Sequence, residues 1–257
     1  MDRVSNLFNK KKSSILNVYC TAGYPKIDST MEVLNALQES GADIVEIGIP
    51  YSDPIADGPV IQQSNMIALQ NGISISLLFK QIENCRDNFH LPLILMGYLN
   101  PVLQYGFKKF CQDAKRVGAD AIILPDLPIF EYQHEYGKIM KENDLHFIFL
   151  ITPETSENRV RQIDDLSDAF IYAVSSSSTT GNKDVNSGNM NNYLKRIKNM
   201  NLKNPVLVGF GIKDKESFSQ ASTYSNGAII GSAYIKILEK SENILQSTKE
   251  YIGSIIS

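Results

Sequence analysis

Eight short apolar runs separated by helical patterns, a glycine-based punctuation repeated between them, and the lack of any Pro/Ser/Gly linker predict an α/β fold. The expected architecture is a single (β/α)8 TIM barrel with extra short helices, one domain over residues 1–257. The runs are Ile15 to Thr21, Ile44 to Gly48, Leu93 to Tyr98, Ala121 to Leu124, Phe147 to Ile151, Phe170 to Val174, Val206 to Gly209 and Ala228 to Ile230. Most are continuous rather than alternating, as parallel strands covered on both faces are. An open doubly wound sheet is the competing reading. That fold marks its ligand site with a glycine cluster after the first strand, where Thr21-Ala22-Gly23-Tyr24-Pro25 has one glycine.

Element by element, a short amphipathic stretch leads into Lys10-Lys11-Lys12, which reads as a solvated helix end favoured by the helix dipole. Asp28, Ser156 and Asp214 stand as N-caps before the stretches Ser29 to Glu39, Glu157 to Leu166 and Lys215 to Ala221. Gly41-Ala42-Asp43 and Gly118-Ala119-Asp120 each stop a helix and start a strand, and Asn226-Gly227-Ala228 is expected to do the same. The polar stretch Ser175 to Gly188 is too long for an ordinary connection, and reads either as a surface loop or as a lid that excludes water from a site.

A net charge of -3 gives no basic stripe for phosphate backbones, so nucleic acid is not an expected partner. No apolar run approaches the length of a membrane span, and no apolar leader opens the chain, so no membrane association is expected. Cys20, Cys85 and Cys111 have neither paired spacing nor a histidine cluster. They suggest no disulfide framework and no metal site, and point to a reducing, cytoplasmic compartment.

Barrel chemistry is carried at the C-terminal ends of the strands and in the loops that follow. Alternation along the second run puts Ile44, Glu46 and Gly48 on one face and Val45, Ile47 and Ile49 on the other, so Glu46 points inward with the small Gly48 leaving space above it. A structural Glu46 would need a buried cation, yet none of the eight runs contains Lys or Arg. An unpaired buried glutamate has a raised pKa suited to general acid-base work. Asp57 lies in the Gly/Pro-rich loop that follows, either held over the barrel mouth or serving an ordinary Asp-Gly turn with Pro59 opening the next helix. Late in the chain, Thr180-Gly181, Gly209-Phe210-Gly211 and Gly231-Ser232 follow successive runs where barrels build phosphate sites. Glycine admits backbone N–H groups to a phosphate, and Ser232 adds a hydroxyl at a helix start. On these residues alone another phosphate-binding barrel enzyme, such as a sugar-phosphate isomerase, stays open.

The stretch from Glu46 to Gln62 satisfies Glu-x-Gly-x-Pro-x-Ser-Asp-Pro-x-Ala-Asp-Gly-Pro-x-Ile-Gln. With Thr21 to Pro25, Met96-Gly97-Tyr98-Leu99-Asn100-Pro101, Pro125-Asp126-Leu127-Pro128, Gly209 to Ile212 and Gly231-Ser232-Ala233, the chain resembles the tryptophan synthase α subunit family from Leu7 to its C-terminal helix. The resemblance implies a lyase that cleaves indole-3-glycerol phosphate to indole and glyceraldehyde 3-phosphate in tryptophan biosynthesis. It implies Glu46 as acid and base, Asp57 as the carboxylate facing the indole N–H, and Tyr98 and Tyr172 as pocket walls, with ordinary barrel aromatics the competing reading for Tyr98. No cofactor is implied on this chain. Pyridoxal phosphate belongs to an implied β subunit in an α2β2 assembly, docked around Asp53, Pro54, Asn100, Pro101, Asp126 and Pro128 and coupled to this site through the loop carrying Asp53 and Asp57. A stand-alone indole-releasing lyase and a non-catalytic regulatory subunit are the alternatives. Two departures from the family pattern are Ser178, where glycine is usual, and Phe130, where an acidic residue is usual.

Overall fold

The computed structural model describes residues 2–175 and 186–257. Thr180, Gly181 and Ser178, with most of the expected lid, lie outside the described residues.

All eight apolar runs enter one parallel sheet, and their residues are buried almost throughout, as a sheet covered on both faces requires. The strands are β1 (Ile15–Thr21), β2 (Ile44–Gly48), β3 (Leu93–Met96), β4 (Ala121–Ile123), β5 (His146–Phe147), β6 (Leu150–Ile151), β7 (Ile171–Ala173), β8 (Val206–Val208) and β9 (Gly227–Ile230). Their order is β5-β4-β3-β2-β1-β9-β8-β7-β6. The strands at the two ends of that order are successive pieces of one run, so the sheet closes on itself. The expected single strand at Phe147 to Ile151 is therefore split: Ile148 N–H bonds Ile122 O at 3.0 Å on one side, and Tyr172 N–H bonds Phe149 O at 2.9 Å on the other. The first part of the run pairs with β4 and the second with β7, so this run closes the ring.

Inward and outward side chains form separate cores. Ile15, Ile44, Ile94, Ala121, Ile123, Ile148, Phe170, Leu207 and Ile229 fill the barrel. Val18, Val45, Ile47, Leu95, Ile122, Ala173, Val208 and Ile230 pack outward beneath the helices. Helix α1 (Arg3–Lys10) plugs the floor with Val4 and Phe8, the Phe8 ring lying 5.7 Å from that of Phe170. Lys11 does not simply end that helix in solvent: its ammonium meets Asp43 Oδ2 at 2.6 Å, and Asp43 also accepts the Leu16 N–H.

Around the sheet run α2 (Ser29–Ser40), α3 (Pro59–Gln70), α4 (Ile75–Cys85), α5 (Leu99–Tyr105), α6 (Phe107–Arg116), α7 (Ile129–Glu131), a π-helical turn at Tyr132–Tyr136, α8 (Gly137–Glu142), α9 (Glu157–Leu166), α10 (Asn186–Asn199), α11 (Lys215–Tyr224), α12 (Ser232–Glu239) and α13 (Ile244–Ile256). Gly41 and Gly118 follow α2 and α6 at φ +92° and +85°, left-handed values that glycine adopts at little cost. Ser156 and Asp214 cap their helices, Asp214 through a capping box, whereas Asp28 makes no side-chain cap bond. Gly227 differs from the expectation too. Helix α11 ends before it, and Gly227 opens β9, where a Cβ would lie 2.0 Å from the Ile15 carbonyl oxygen. Close strand approach, not helix termination, requires glycine there.

Candidate active site

Glu46 sits on β2 opposite Tyr19 of β1 and Ile94 of β3, facing the barrel interior with no exposed surface. Among the described residues its Oε2 accepts one hydrogen bond, from Asn17 Nδ2 at 3.1 Å, and its Oε1 has no partner. Burial pushes the carboxyl up to about 8, against the pull of the Asn17 donation and with a contribution from the charge of Asp57. A group in this state can give up and recover a proton near neutrality.

Asp57 is half-buried in the loop after β2, and the hydrogen bonds around it fix its position. Its N–H bonds Pro54 O at 3.1 Å, while Gln62 of α3 donates to Asp57 O at 2.9 Å and reaches Pro54 O at 3.5 Å. Asn65, one turn further along α3, approaches Asp57 Oδ2 at 3.5 Å. Pro59 does open α3, so the Asp-Gly-Pro sequence serves both the helix start and the carboxylate. Burial pushes Asp57 up to about 6, opposed by hydrogen bonds from the Tyr98 hydroxyl and Asn65. The same Tyr98 oxygen accepts the Ala56 N–H at 3.0 Å. Tyr98 is thus a buried anchor for the loop as well as a neighbour of its carboxylate.

Two inward tyrosines complete the cluster, each over a glycine. A Cβ on Gly48 would fall 2.0 Å from Tyr19 Oη, and one on Gly209 would fall 2.0 Å from Tyr172 Cε2. The space expected above Gly48 is therefore filled by Tyr19. Both hydroxyls are buried, and their pKa values lie well above the usual tyrosine range: burial is the main cause, reinforced by the charges of Asp57 and Glu46.

The late glycines divide by role. Gly209 gives its N–H to Ala173 O at 3.0 Å in the strand ladder, so that donor is not available to a phosphate. Gly211 is exposed at φ +67°, and no atom comes within 4 Å of where its Cβ would lie. Gly231 precedes α12, whose first residue is the exposed Ser232, so the orphan N–H groups of that helix start lie at the strand ends. A Cβ on Gly231 would be 3.7 Å from Tyr19 Cβ, which makes Tyr19 the link between the carboxylate cluster and the glycine cluster. Among the described residues no group of three or more His, Cys, Asp or Glu is placed to hold a metal ion.

The residues expected at a partner surface come from three neighbouring loops that are tied together. Asn100 donates to Tyr51 Oη at 3.2 Å, and both Asp126 carboxylate oxygens accept the Leu99 N–H, at 2.9 and 3.0 Å. Asp53, Asn100, Asp126 and Pro128 are exposed and Pro101 is partly so, but Pro54 is buried and presents little to a partner. Ile55 and Phe130 are 76% and 63% exposed beside them, a high figure for large apolar side chains.

Asn17, Tyr19, Thr21, Ser64 and Asn65 are the site residues that sequence reasoning missed. Thr21 Oγ1 lies 2.7 Å from Ser64 Oγ and 3.4 Å from Tyr19 Oη, which connects β1 to α3. A signal for three of them was present: Asn17, Tyr19 and Thr21 are the alternate, polar-bearing positions of an otherwise apolar run.

Residues 5–254 match the family model for the tryptophan synthase alpha chain. The tryptophan synthase alpha chain of Flavobacterium psychrophilum is 47% identical over 255 residues, covering 99% of this chain and all of the relative. That of Parabacteroides distasonis is 51% identical over 239 residues, covering 93% of each. The crystal structure of tryptophan synthase subunit alpha from Legionella pneumophila superposes with a TM-score of 0.89 at 33% identity, covering 99% of this chain and 97% of that one. With matches of this extent, over a barrel that positions the signature carboxylates at its mouth, the chain belongs to the tryptophan synthase α chain family.

Proposed function

We propose that Glu46 is the proton donor and acceptor, and Asp57 the fixed counter-charge, with which this chain carries out the α reaction of its family in tryptophan biosynthesis. That reaction is the retro-aldol cleavage of indole-3-glycerol phosphate to indole and glyceraldehyde 3-phosphate. The supporting observation is a fully buried glutamate that, among the described residues, is paired with no cation and feels the charge of a second carboxylate, Asp57.

The C–C bond at indole C3 is strong until C3 is protonated. Glu46 transfers its proton to C3, and the ring becomes an indolenine with positive charge on its nitrogen. Asp57, held by Tyr98, Asn65 and Gln62, stabilises that charge through the N–H, and little reorganisation is needed because the loop is already bonded in place. The Glu46 carboxylate then takes the proton of the glycerol hydroxyl. The carbonyl of the aldehyde forms, the C–C electron pair returns to the ring, and aromatic indole leaves with Glu46 again protonated. Gly211, Gly231 and Ser232 would hold the phosphate, with Thr180 and Gly181 from the lid side, and so fix the reacting carbon near Glu46. Tyr19 and Tyr172 would wall the pocket.

The partner is a tryptophan synthase β subunit in an α2β2 assembly. It would carry the pyridoxal phosphate and receive the indole on the face built by Asp53, Asn100, Asp126 and Pro128. The exposed Ile55 and Phe130 support an apolar contact there. Three unpaired cysteines are in keeping with a cytoplasmic setting, and no described helix is long and apolar enough to cross a membrane.

Indole formation from indole-3-glycerol phosphate by the purified chain and by Glu46→Gln, each with and without a β subunit, tests the reading. The wild type is expected to release indole, faster with the partner, and the variant to lose roughly 10²–10⁴-fold in turnover. Near-normal turnover by Glu46→Gln would remove Glu46 from the mechanism. No indole under any condition would direct the search to other phosphorylated substrates.

A further inference from the structure

Beneath Glu46, one inward position closer to the floor of β1 than Tyr19, lies Asn17, a polar side chain with no exposed surface in the most apolar part of the barrel. It stands level with Ile44 and Ile229 of the adjoining strands. Burying an amide there costs free energy unless its hydrogen bonds are made. Among the described residues Asn17 makes one, from Nδ2 to Glu46 Oε2, and its Oδ1 has no partner. Local structure does not account for this amide, since its side chain bonds only to the carboxylate.

We infer that Asn17 is a positioning residue that occupies Glu46 Oε2 and so directs the exchangeable proton to Oε1. The inference rests on Glu46 being the acid-base group. A carboxyl oxygen that accepts an N–H bond is the poorer site for a proton, because protonating it sets two donors against each other. Oε1, the atom without a partner, becomes the acidic oxygen. The Asn17 bond persists in both protonation states: Oε2 accepts as a carbonyl oxygen when Glu46 is neutral and as a carboxylate oxygen when it is charged. Glu46 therefore delivers and recovers its proton through the same atom without turning about its own bonds. The donation is stronger to the charged form, so it also holds the carboxyl below the value burial alone would set. The other groups facing Glu46 do the reverse or are neutral. Asp57 is a like charge, and Tyr19, Tyr172 and Cys20 are buried neutral acids.

Infrared difference spectroscopy of the ligand-free protein tests this independently of turnover, with the Glu46 carboxyl band identified by its loss in Glu46→Gln. In Asn17→Leu, which is close in size and lacks the donor, the C=O stretch of protonated Glu46 is expected to move to higher frequency. Its titration midpoint is expected to rise by about one pH unit, a tenfold gain in proton affinity. The basic limb of the kcat profile should move with it while KM changes little. Asn17→Val gives the same readings if the leucine variant does not fold. A carboxyl band and midpoint unchanged from wild type would overturn the inference, whatever the activity. A wild type that releases no indole but whose band shifts in Asn17→Leu would refute the reaction assignment and leave the Asn17–Glu46 coupling standing.

Discussion

Two buried carboxylates, one at each end of the barrel, meet opposite surroundings. At the floor, Asp120 is clamped between Arg3 at 2.9 Å and Arg86 at 3.0 Å, and accepts the Leu93 N–H at 2.9 Å as well. Toward the mouth, Glu46 has, among the described residues, one amide donor, one oxygen with no partner and no cation. Glu46 lies within an apolar strand and Asp120 immediately before one, and both are almost wholly buried. What separates structure from chemistry is what surrounds the charge. Two cations and a backbone N–H surround Asp120, whereas burial with one donor leaves Glu46 able to exchange its proton near neutrality.

The comparison can be broken most sharply at the floor. Asp120→Ala leaves the Arg86 guanidinium buried without its counter-charge and is expected to cost about 3–5 kcal/mol in urea unfolding, with kcat of the surviving folded fraction unchanged. A large fall in kcat at full folding would mean that the two ends are not separate. At the mouth, Asp57→Asn should lower kcat by roughly 10²–10³-fold with little change in ligand affinity, since the carboxylate matters most once positive charge develops. Wild-type kcat should follow a bell in pH, rising as Asp57 ionises near 6 and falling as Glu46 loses its proton near 8, and the variant should lose the acid limb. A retained acid limb would assign it to another group.

The smallest effect sharpens the comparison through stability. Glu46 has its folded pKa raised from 4.5 to about 8, so across that window the folded state holds a proton that the unfolded state has released. Stability then falls as pH rises, by up to about 1.4 kcal/mol per pH unit, and Glu46→Gln should flatten the slope. At the floor, His146 lies 3.2 Å from Asp2 and 3.0 Å from Asp168, and the Asp168 contact leads in raising it from 6.5 to about 8. Its contribution is complete below pH 6.5 and is lost through pH 8, so His146→Gln should flatten only that upper part. Unfolding at a series of pH values distinguishes the two, and a His146→Gln curve parallel to wild type would show that the contact does not hold α1 down.

The fold was largely legible because apolar runs of four or more residues between glycine stops carry the barrel pattern locally. The strands end one or two residues before the apolar runs do at Tyr98, Leu124 and Gly209, although the Gly97 and Gly209 N–H groups still bond to neighbouring strands. The carboxylates were legible for a related reason: Glu46 was out of place in its run, and Asp57 stood in a loop stiffened by prolines. What escaped notice depends on distant residues. Gly48 and Gly209 are small because tyrosine rings from other strands lie over them, and Gly227 is small because Ile15 passes close by. No local pattern in the chain carries a trace of such neighbours. Pro54 was expected on the surface and is buried, in a turn whose carbonyls at Pro54 and Asp57 both accept from Gln62.

The split at Ile148 and Phe149 divides the ring into two halves. One runs from β1 to β5 and carries Asn17, Glu46, Asp57 and Tyr98; the other runs from β6 to β9 and carries Tyr172, Gly211 and Gly231, with Ser232 just beyond. They are joined by ladder bonds along the β1–β9 seam, where Ile15 to Val18 align with Gly227 to Ile230, and by the unbroken chain between β5 and β6. The proposed acid-base group and its companion carboxylate belong to one half, and the turns proposed to face the phosphate belong to the other. The proposed site therefore draws on both halves and is complete only where the closed ring brings them together.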